Sequence, residues 1–115
     1  TEAVTQVKAL KEKNNQIALT IVTVYELLKG AYLSSRRDEN LKSVKEAISN
    51  ITILDLSPQA CEEASNIYCE LRQSGKPISE FDILIAAIAK TNGETLLTTD
   101  QHFKSVKGLS LLKGY

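Results

Sequence analysis

Three acidic residues stand out because each lies next to a short apolar run or at the start of an apolar helix. Glu26 follows the run at 17–21, and Asp100 follows the run at 95–98. Asp82 opens an apolar helix. In an open parallel sheet, ligand sites form beyond the carboxyl ends of the strands. Converging carboxylates repel one another unless a cation lies between them. Because these ligands are hard oxygens without a histidine or cysteine cluster, they indicate Mg²⁺ or Mn²⁺.

The same acids also have structural interpretations, which the sequence leaves open. The first two in the chain fit a capping box, in which an acid is paired with a hydroxyl residue three positions earlier, here Thr23 and Ser79. The third fits the start of a turn. Glu80 is a further first-turn acid that fits either role. Chemistry is favoured at Asp82 because residues 83–89 are apolar almost all round, which indicates a buried helix beginning at a protected cleft.

Strands that alternate with helices must position these acids. Short apolar runs predict strands at 17–21, 51–54, 95–98 and 109–112. Apolar residues at helical spacing predict helices over 2–13, 24–31 and 41–48, from Ser57-Pro58 to Gly75, and from Ser79 to Gly93. Short apolar strands between helices indicate an α/β fold with a parallel sheet covered on both faces.

The beginning of the chain predicts a missing element. The sequence starts at Thr1 and contains no methionine. A helix that leads into a parallel strand normally has another strand before it, because that is what a βαβ crossover is. We therefore expect residues 1–115 to be a single domain that lacks its natural N-terminal strand.

Composition excludes some classes of protein. Acids and bases balance at 14 each, unlike a strongly basic nucleic-acid binder, although acidic metal ligands can offset basic substrate contacts in a nuclease. No apolar run approaches the ~20 residues of a membrane span. Cys61 and Cys69 are eight residues apart in a helix, or roughly 12 Å, which is too far for a disulfide. We expect both to be reduced core residues of a cytoplasmic protein.

Three segments together resemble the PIN domain, and most of all the VapC toxins: residues 21–30, 75–87 and 95–100. Their order and spacing also match, so the resemblance covers essentially the whole chain. It implies a three-layer α/β/α fold with a parallel central sheet. It also implies a metal-dependent endoribonuclease that acts as the toxin of a type II toxin–antitoxin system.

The resemblance assigns roles to particular residues. It implies that Glu26, Asp82 and Asp100 bind Mg²⁺ or Mn²⁺ and position the attacking water, with Thr98 and Glu80 in support. It further implies an RNA substrate and a homodimer. A cognate antitoxin is also implied, whose C-terminal segment covers the active site. Transfer, ribosomal and messenger RNA all remain open as substrates.

Basic and apolar surface residues have two interpretations each. By motif position, the candidates for contacts with RNA phosphates are Lys29, Arg72 and Lys76. Four other cations form either a solvated helix face or an RNA groove: Arg36, Arg37, Lys42 and Lys45. A set of large residues forms either a dimer face or core: Tyr25, Leu28, Tyr32 and Leu33.

This sequence departs from the family at its start. PIN domains open with a strand that carries an aspartate ligand, and that aspartate is absent from residues 1–115. One alternative is therefore a catalytically incomplete PIN-like module that binds an antitoxin or another protein. Another is a Rossmann-like phosphoacceptor or nucleotide binder, although no glycine-rich phosphate loop supports nucleotide binding.

Overall fold

The computed structural model describes most of the chain after its first 17 residues. The described ranges are 18–49, 51–76, 78–94, 96–98, 101–109 and 111–113. The chain divides into two compact units, Thr1–Ile53 and Leu54–Tyr115. The helix expected over 2–13 lies outside the described residues. The strand expected before it stays a prediction.

The first unit joins two helices to two short strands. Its elements are β1 (Ala18–Thr20), α1 (Ile21–Leu33), α2 (Arg37–Ile48) and β2 (Thr52–Leu54). Strand β1 pairs with β2, and α1 packs on α2. The buried core between these elements is small and aliphatic, and consists of Ala31, Val44, Ala47 and Ile51. No loop separates β1 from α1, so the strand sets the direction in which α1 begins.

The second unit is built on a pair of packed helices. Its elements are α3 (Pro58–Gln73), α4 (Glu80–Thr91), β3 (Leu96–Thr98), a 3₁₀ helix (Gln101–Ser105) and β4 (Leu111–Lys113). Strands β3 and β4 are parallel, as the sequence predicted. Helices α3 and α4 make the most extensive packing in the unit.

Local signals in the sequence set the ends of α3 and α4. The Ser57 hydroxyl accepts a hydrogen bond from the Ala60 amide at 3.1 Å, with proline at the first helical position. Gly75 and Gly93 follow the two helices with φ of 68° and 66°. The amide after each glycine donates to a carbonyl five residues earlier, which is the Schellman arrangement. These expected helix ends are confirmed.

Helix α4 is enclosed on nearly every side, which confirms that it is a buried helix. Ile83 and all of the residues from Ile85 to Ala89 are buried. One side packs against α3 through Ala64, Ile67 and Leu71. By contrast, the start of α4 is accessible, since Glu80 and Phe81 are exposed and Asp82 is half-buried.

The expectation that the two cysteines lie in the core is wrong. Cys61 and Cys69 are exposed free thiols, so the absence of a disulfide between them is confirmed. The buried face of α3 consists of Ala60, Ala64, Ile67 and Leu71. Cys61 and Cys69 lie outside this face, on the exposed side of the helix.

No helix in the described part of the chain combines the length and apolarity needed to cross a membrane.

Truncation of the core should unfold this unit more readily. Ile67 is almost fully buried between α3 and α4. We expect Ile67→Ala to lower the free energy of unfolding by about 2–5 kcal/mol, because transfer and cavity terms add. Chemical denaturation measures this change. Glu62→Ala on the exposed face of the same helix is the matched control and should change stability by about 0.5 kcal/mol or less. Equal losses in the two variants would contradict the packing described here.

Candidate functional site

Glu26 lies in the second turn of α1, and its structural interpretation as a capping-box acid is wrong. The helix is capped by Thr20, whose hydroxyl accepts from the Thr23 amide at 3.1 Å. The two threonine hydroxyls are also 3.0 Å apart. Because α1 begins at Ile21 rather than after Thr23, Glu26 is too far along the helix to reach the cap. Its half-buried carboxylate therefore needs another explanation.

Asp82 lies in the first turn of α4, directly behind the cap. The Ser79 hydroxyl accepts a hydrogen bond from the Asp82 amide at 3.2 Å, which confirms one half of the predicted box. The reciprocal hydrogen bond, which the Ser79 amide would donate to the Asp82 carboxylate, is absent from the described part of the chain. Asp82 is half-buried, whereas Glu80 in the same turn is exposed. The helix dipole favours both negative charges at this end.

The carboxylates of Glu26 and Asp82 share an unusual lack of compensation. Neither makes a hydrogen bond or an ion pair with any residue that the structure describes. Glu63, which is buried to a similar degree, binds Lys90 at 2.7 Å. Burying charge without a partner is unfavourable, and a bound cation removes that penalty. Carboxylate oxygens are hard ligands of the kind that Mg²⁺ or Mn²⁺ prefers over a softer metal, so a metal-binding role for each acid stays a prediction.

The third acid of the set is Asp100, which follows β3 in the sequence. Asp100 lies outside the described residues. Thr98 ends β3 opposite Lys113 of β4. Within the described ranges, no three His, Cys, Asp or Glu side chains lie together closely enough to hold a metal ion. Since Asp100 is not among them, and since Glu26 and Asp82 belong to different units, the convergence of the three acids stays a prediction.

The three cations expected to contact phosphate are all exposed. Lys29 lies on α1, one turn beyond Glu26, with its ammonium 5.2 Å from the centre of the Tyr25 ring. Arg72 is in the last turn of α3, and Lys76 lies just beyond it, where its amide closes the helix end. The short turn from α3 to α4 therefore carries two cations shortly before the acidic turn at Glu80. Their role in binding RNA stays a prediction.

The sequence did not decide whether four large residues belong to the core or to a dimer face, and most of them are exposed. Tyr25 and Tyr32 are 52% and 54% exposed, and Leu33 is 80% exposed. A core position is therefore wrong for these three. Leu28 differs, because it is half-buried and packs on the core of the first unit. The exposed side of α1 thus has large residues available to a partner.

Comparison with known proteins identifies the family. The model of the PIN domain matches residues 1–109. The chain is 32% identical over 95 residues to the tRNA(fMet)-specific endonuclease VapC of Shigella flexneri. This alignment covers 82% of this chain and 72% of the relative. It is 35% identical over 85 residues to Ribonuclease VapC2 of Haemophilus influenzae. That alignment covers 74% of this chain and 64% of the relative.

A solved structure agrees with the sequence comparisons. The crystal structure of VapBC2 from Rickettsia felis bound to a DNA fragment from their promoter superposes with a TM-score of 0.83 at 30% identity. The superposed region covers 91% of this chain and 80% of the matched chain in that crystal structure. The chain therefore belongs to the PIN-domain family. Its similarity within that family is to VapC proteins, which confirms the expected VapC-type toxin and the α/β PIN-like fold class.

The cap that precedes Asp82 should contribute measurably to stability. We expect Ser79→Ala to lower the free energy of unfolding by about 0.5–2 kcal/mol, because the Asp82 amide loses its acceptor. Ser79→Asn retains a capping oxygen and should restore most of that loss. Thermal unfolding of the two variants tests this, and identical losses would show that the hydroxyl does not act as a cap.

Proposed function

We propose that this protein is the endoribonuclease toxin of a type II toxin–antitoxin system, and that it hydrolyses RNA phosphodiester bonds with Mg²⁺ or Mn²⁺. The observation that carries the proposal is that Glu26 and Asp82 are both half-buried residues whose carboxylates have no compensating partner in the described structure. Membership of the PIN-domain family supports the same chemistry, since the relatives that it matches are named as ribonucleases.

In this proposal the acids hold the metal and position the reactants. Glu26, Asp82 and Asp100 are the ligands, with Glu80 and Thr98 in support. The bound ion would polarise the phosphate and activate water for attack. The dipole of α4 and the Ser79 cap hold Asp82 at the accessible end of an otherwise enclosed helix. Fixed ligands of this kind reduce the reorganisation needed during the reaction.

The substrate is proposed to bind through cations near the acids. Lys29 accompanies Glu26 on α1, and Arg72 with Lys76 precedes the turn that carries Asp82. Ammonium and guanidinium groups bind phosphate oxygens regardless of base sequence. The name of the Shigella relative makes tRNA(fMet) the first RNA to test. Ribosomal and messenger RNA are the necessary comparisons.

The proposed partners are a cognate antitoxin and a second copy of this chain, both acting in the cytoplasm. The solved relative was crystallised as VapBC2 on promoter DNA, which supports an antitoxin partner here. The C-terminal segment of such an antitoxin would cover the acidic site and block access of RNA. Co-purification with the protein encoded beside this one tests the partnership directly.

Loss of one metal ligand should abolish RNA cleavage. We expect Asp82→Asn to reduce the rate of Mg²⁺-dependent cleavage at least about 100-fold, because the amide removes charge from the metal site while keeping the shape. Glu26→Gln should act in the same direction. Cleavage of a labelled tRNA followed on denaturing gels measures the rate.

The control for these variants is an exposed acid outside the set. Asp55 lies in the exposed loop between β2 and α3, so Asp55→Asn should retain wild-type activity. If Asp82→Asn cleaves as fast as Asp55→Asn, the metal site is elsewhere. If the wild-type chain binds an antitoxin but cleaves none of the RNAs tested, the protein is better described as a catalytically incomplete PIN-like module.

Activity should depend on an added divalent ion. We expect a chelator to stop cleavage, and Mg²⁺ or Mn²⁺ in excess to restore it, since carboxylate oxygens prefer these hard ions. Binding of Mn²⁺ measured by its effect on water proton relaxation gives a second readout that does not require activity. Cleavage that continues unchanged in chelator would contradict the proposal.

A further inference from the structure

Two cations, one on α1 and one at the start of α2, each lie over a tyrosine ring of α1. Lys29 lies over Tyr25, and Arg37, at the start of α2, lies over Tyr32. Both rings are more than half exposed. We call these four residues the cation strip. All of them belong to the first unit, and three occupy helical positions i, i+4 and i+7, so they share one face of α1.

The first pair directs the Lys29 ammonium towards the N-terminal half of α1. Side chains on a helix lean towards its N-terminus, so a lysine covers the turn before its own Cα. The 5.2 Å separation between the Lys29 ammonium and the Tyr25 ring centre agrees with this direction. The ammonium therefore lies beside the Tyr25 ring, level with the turn of α1 that contains Glu26. A cation in that position would meet a phosphate close to the proposed metal.

The second pair fixes Arg37 more firmly. Its guanidinium carbon is 5.6 Å from the centre of the Tyr32 ring, and its Nε donates to the Tyr32 carbonyl at 3.0 Å. That bond uses Nε, so the donors left for a phosphate are the two terminal nitrogens. Stacking and hydrogen bonding together restrict the side chain before any ligand arrives. Less entropy is then lost when it binds.

The neighbouring arginine serves as an internal contrast. Arg36 directly precedes Arg37, as the N-cap of α2, and is also exposed, but its Nε is 3.0 Å from the Glu39 carboxylate. An anion already compensates its charge, and no tyrosine ring is described beneath it. Arg36 and Arg37 are adjacent in the sequence and have the same side chain, so they differ only in their environment.

We propose that the cation strip binds the backbone of single-stranded RNA on one side of the cleavage point. This inference rests on the proposed function, because it assigns a path to the substrate of that same site. Tyr25 and Tyr32 are seven residues apart, or roughly 10 Å along the helix. That distance spans about three nucleotides of a stacked strand at 3.4 Å each. Lys29 thus contacts the strand near Glu26, and Arg37 contacts it further away.

Charge favours RNA over a second copy of this chain as the occupant. Both charged members of the strip are cations, and exposed tyrosines interleaved with cations are typical of surfaces that bind single strands. Two copies of the strip meeting face to face would bring like charges together. Leu33 and Ile21 are exposed nearby and would suit a protein partner, so self-association is the competing outcome of the test.

Binding of a fluorescent oligouridine in chelator, followed by anisotropy across a range of salt concentrations, tests the strip without turnover. We expect Lys29→Gln and Arg37→Gln each to weaken binding about 3- to 10-fold. Each should also reduce the slope of log affinity against log salt by about 0.7. Tyr32→Leu should weaken binding about 2- to 5-fold through loss of the cation–π contact, while Tyr32→Phe should retain it.

Arg36→Gln is the matched control, and we expect it to change neither affinity nor slope appreciably. If it weakens binding as much as Arg37→Gln, net charge rather than the strip accounts for the effect, and the inference is overturned. It is also overturned if Tyr32→Leu changes only the sedimentation coefficient, which would identify a face between two copies. Cleavage of RNA by the wild type with Mn²⁺ is scored separately. A chain that binds through the strip but does not cleave refutes the proposed function alone.

Discussion

A helix that is apolar on nearly every side must be enclosed by other elements, and α4 is such a helix. Its buried residues allow little rotation or sliding, because shifting any of them would open a cavity or expose apolar surface. The Ser79 cap fixes the first residue of the helix. Together they determine where the Asp82 carboxylate lies. The proposed chemistry of the second unit therefore depends on the packing of α4 more than on any contact made by the acid itself.

Compensation of charge distinguishes some acids of this protein from Glu26 and Asp82. Glu63 and Glu39 have cationic partners within reach, whereas the carboxylates of Glu26 and Asp82 have none in the described part of the chain. Structural acids are stabilised by local partners, and a ligand site must leave its acids available. Such sites reduce stability in exchange for binding, which is a common property of functional residues.

The sequence predicted best what neighbouring residues decide. The Ser57 cap, the glycines that end α3 and α4, and the burial of α4 were all recognisable because their signals are local. The start of α1 was misplaced by three residues, since β1 passes into the helix without a loop and both Thr20 and Thr23 are suitable caps. The two cysteines of α3 were misplaced because cysteine is small and apolar, so its residue type alone does not show on which side of the buried face it lies.

The candidate site was predictable only in part, for a physical reason. That Glu26 and Asp82 are acids near the starts of helices follows from the sequence. Whether they converge depends on packing between distant parts of the chain, on which local patterns carry no information. The pairing of Arg37 with Tyr32 was missed for the same reason, because it joins the end of one helix to the start of the next across a loop.

The direct passage from β1 to α1 has a mechanical consequence. Thr20 is at once the last residue of the strand and the cap of the helix, so the junction contains no slack. The hydrogen-bond register of β1 therefore determines which residues of α1 face the core and which face solvent. Adding or deleting one residue at this point would turn the helix by about 100° and carry Glu26 and the tyrosines to a different side. Strand β1 and helix α1 therefore behave as one rigid element. Changes in chain length on this surface can be accommodated only beyond the end of that element.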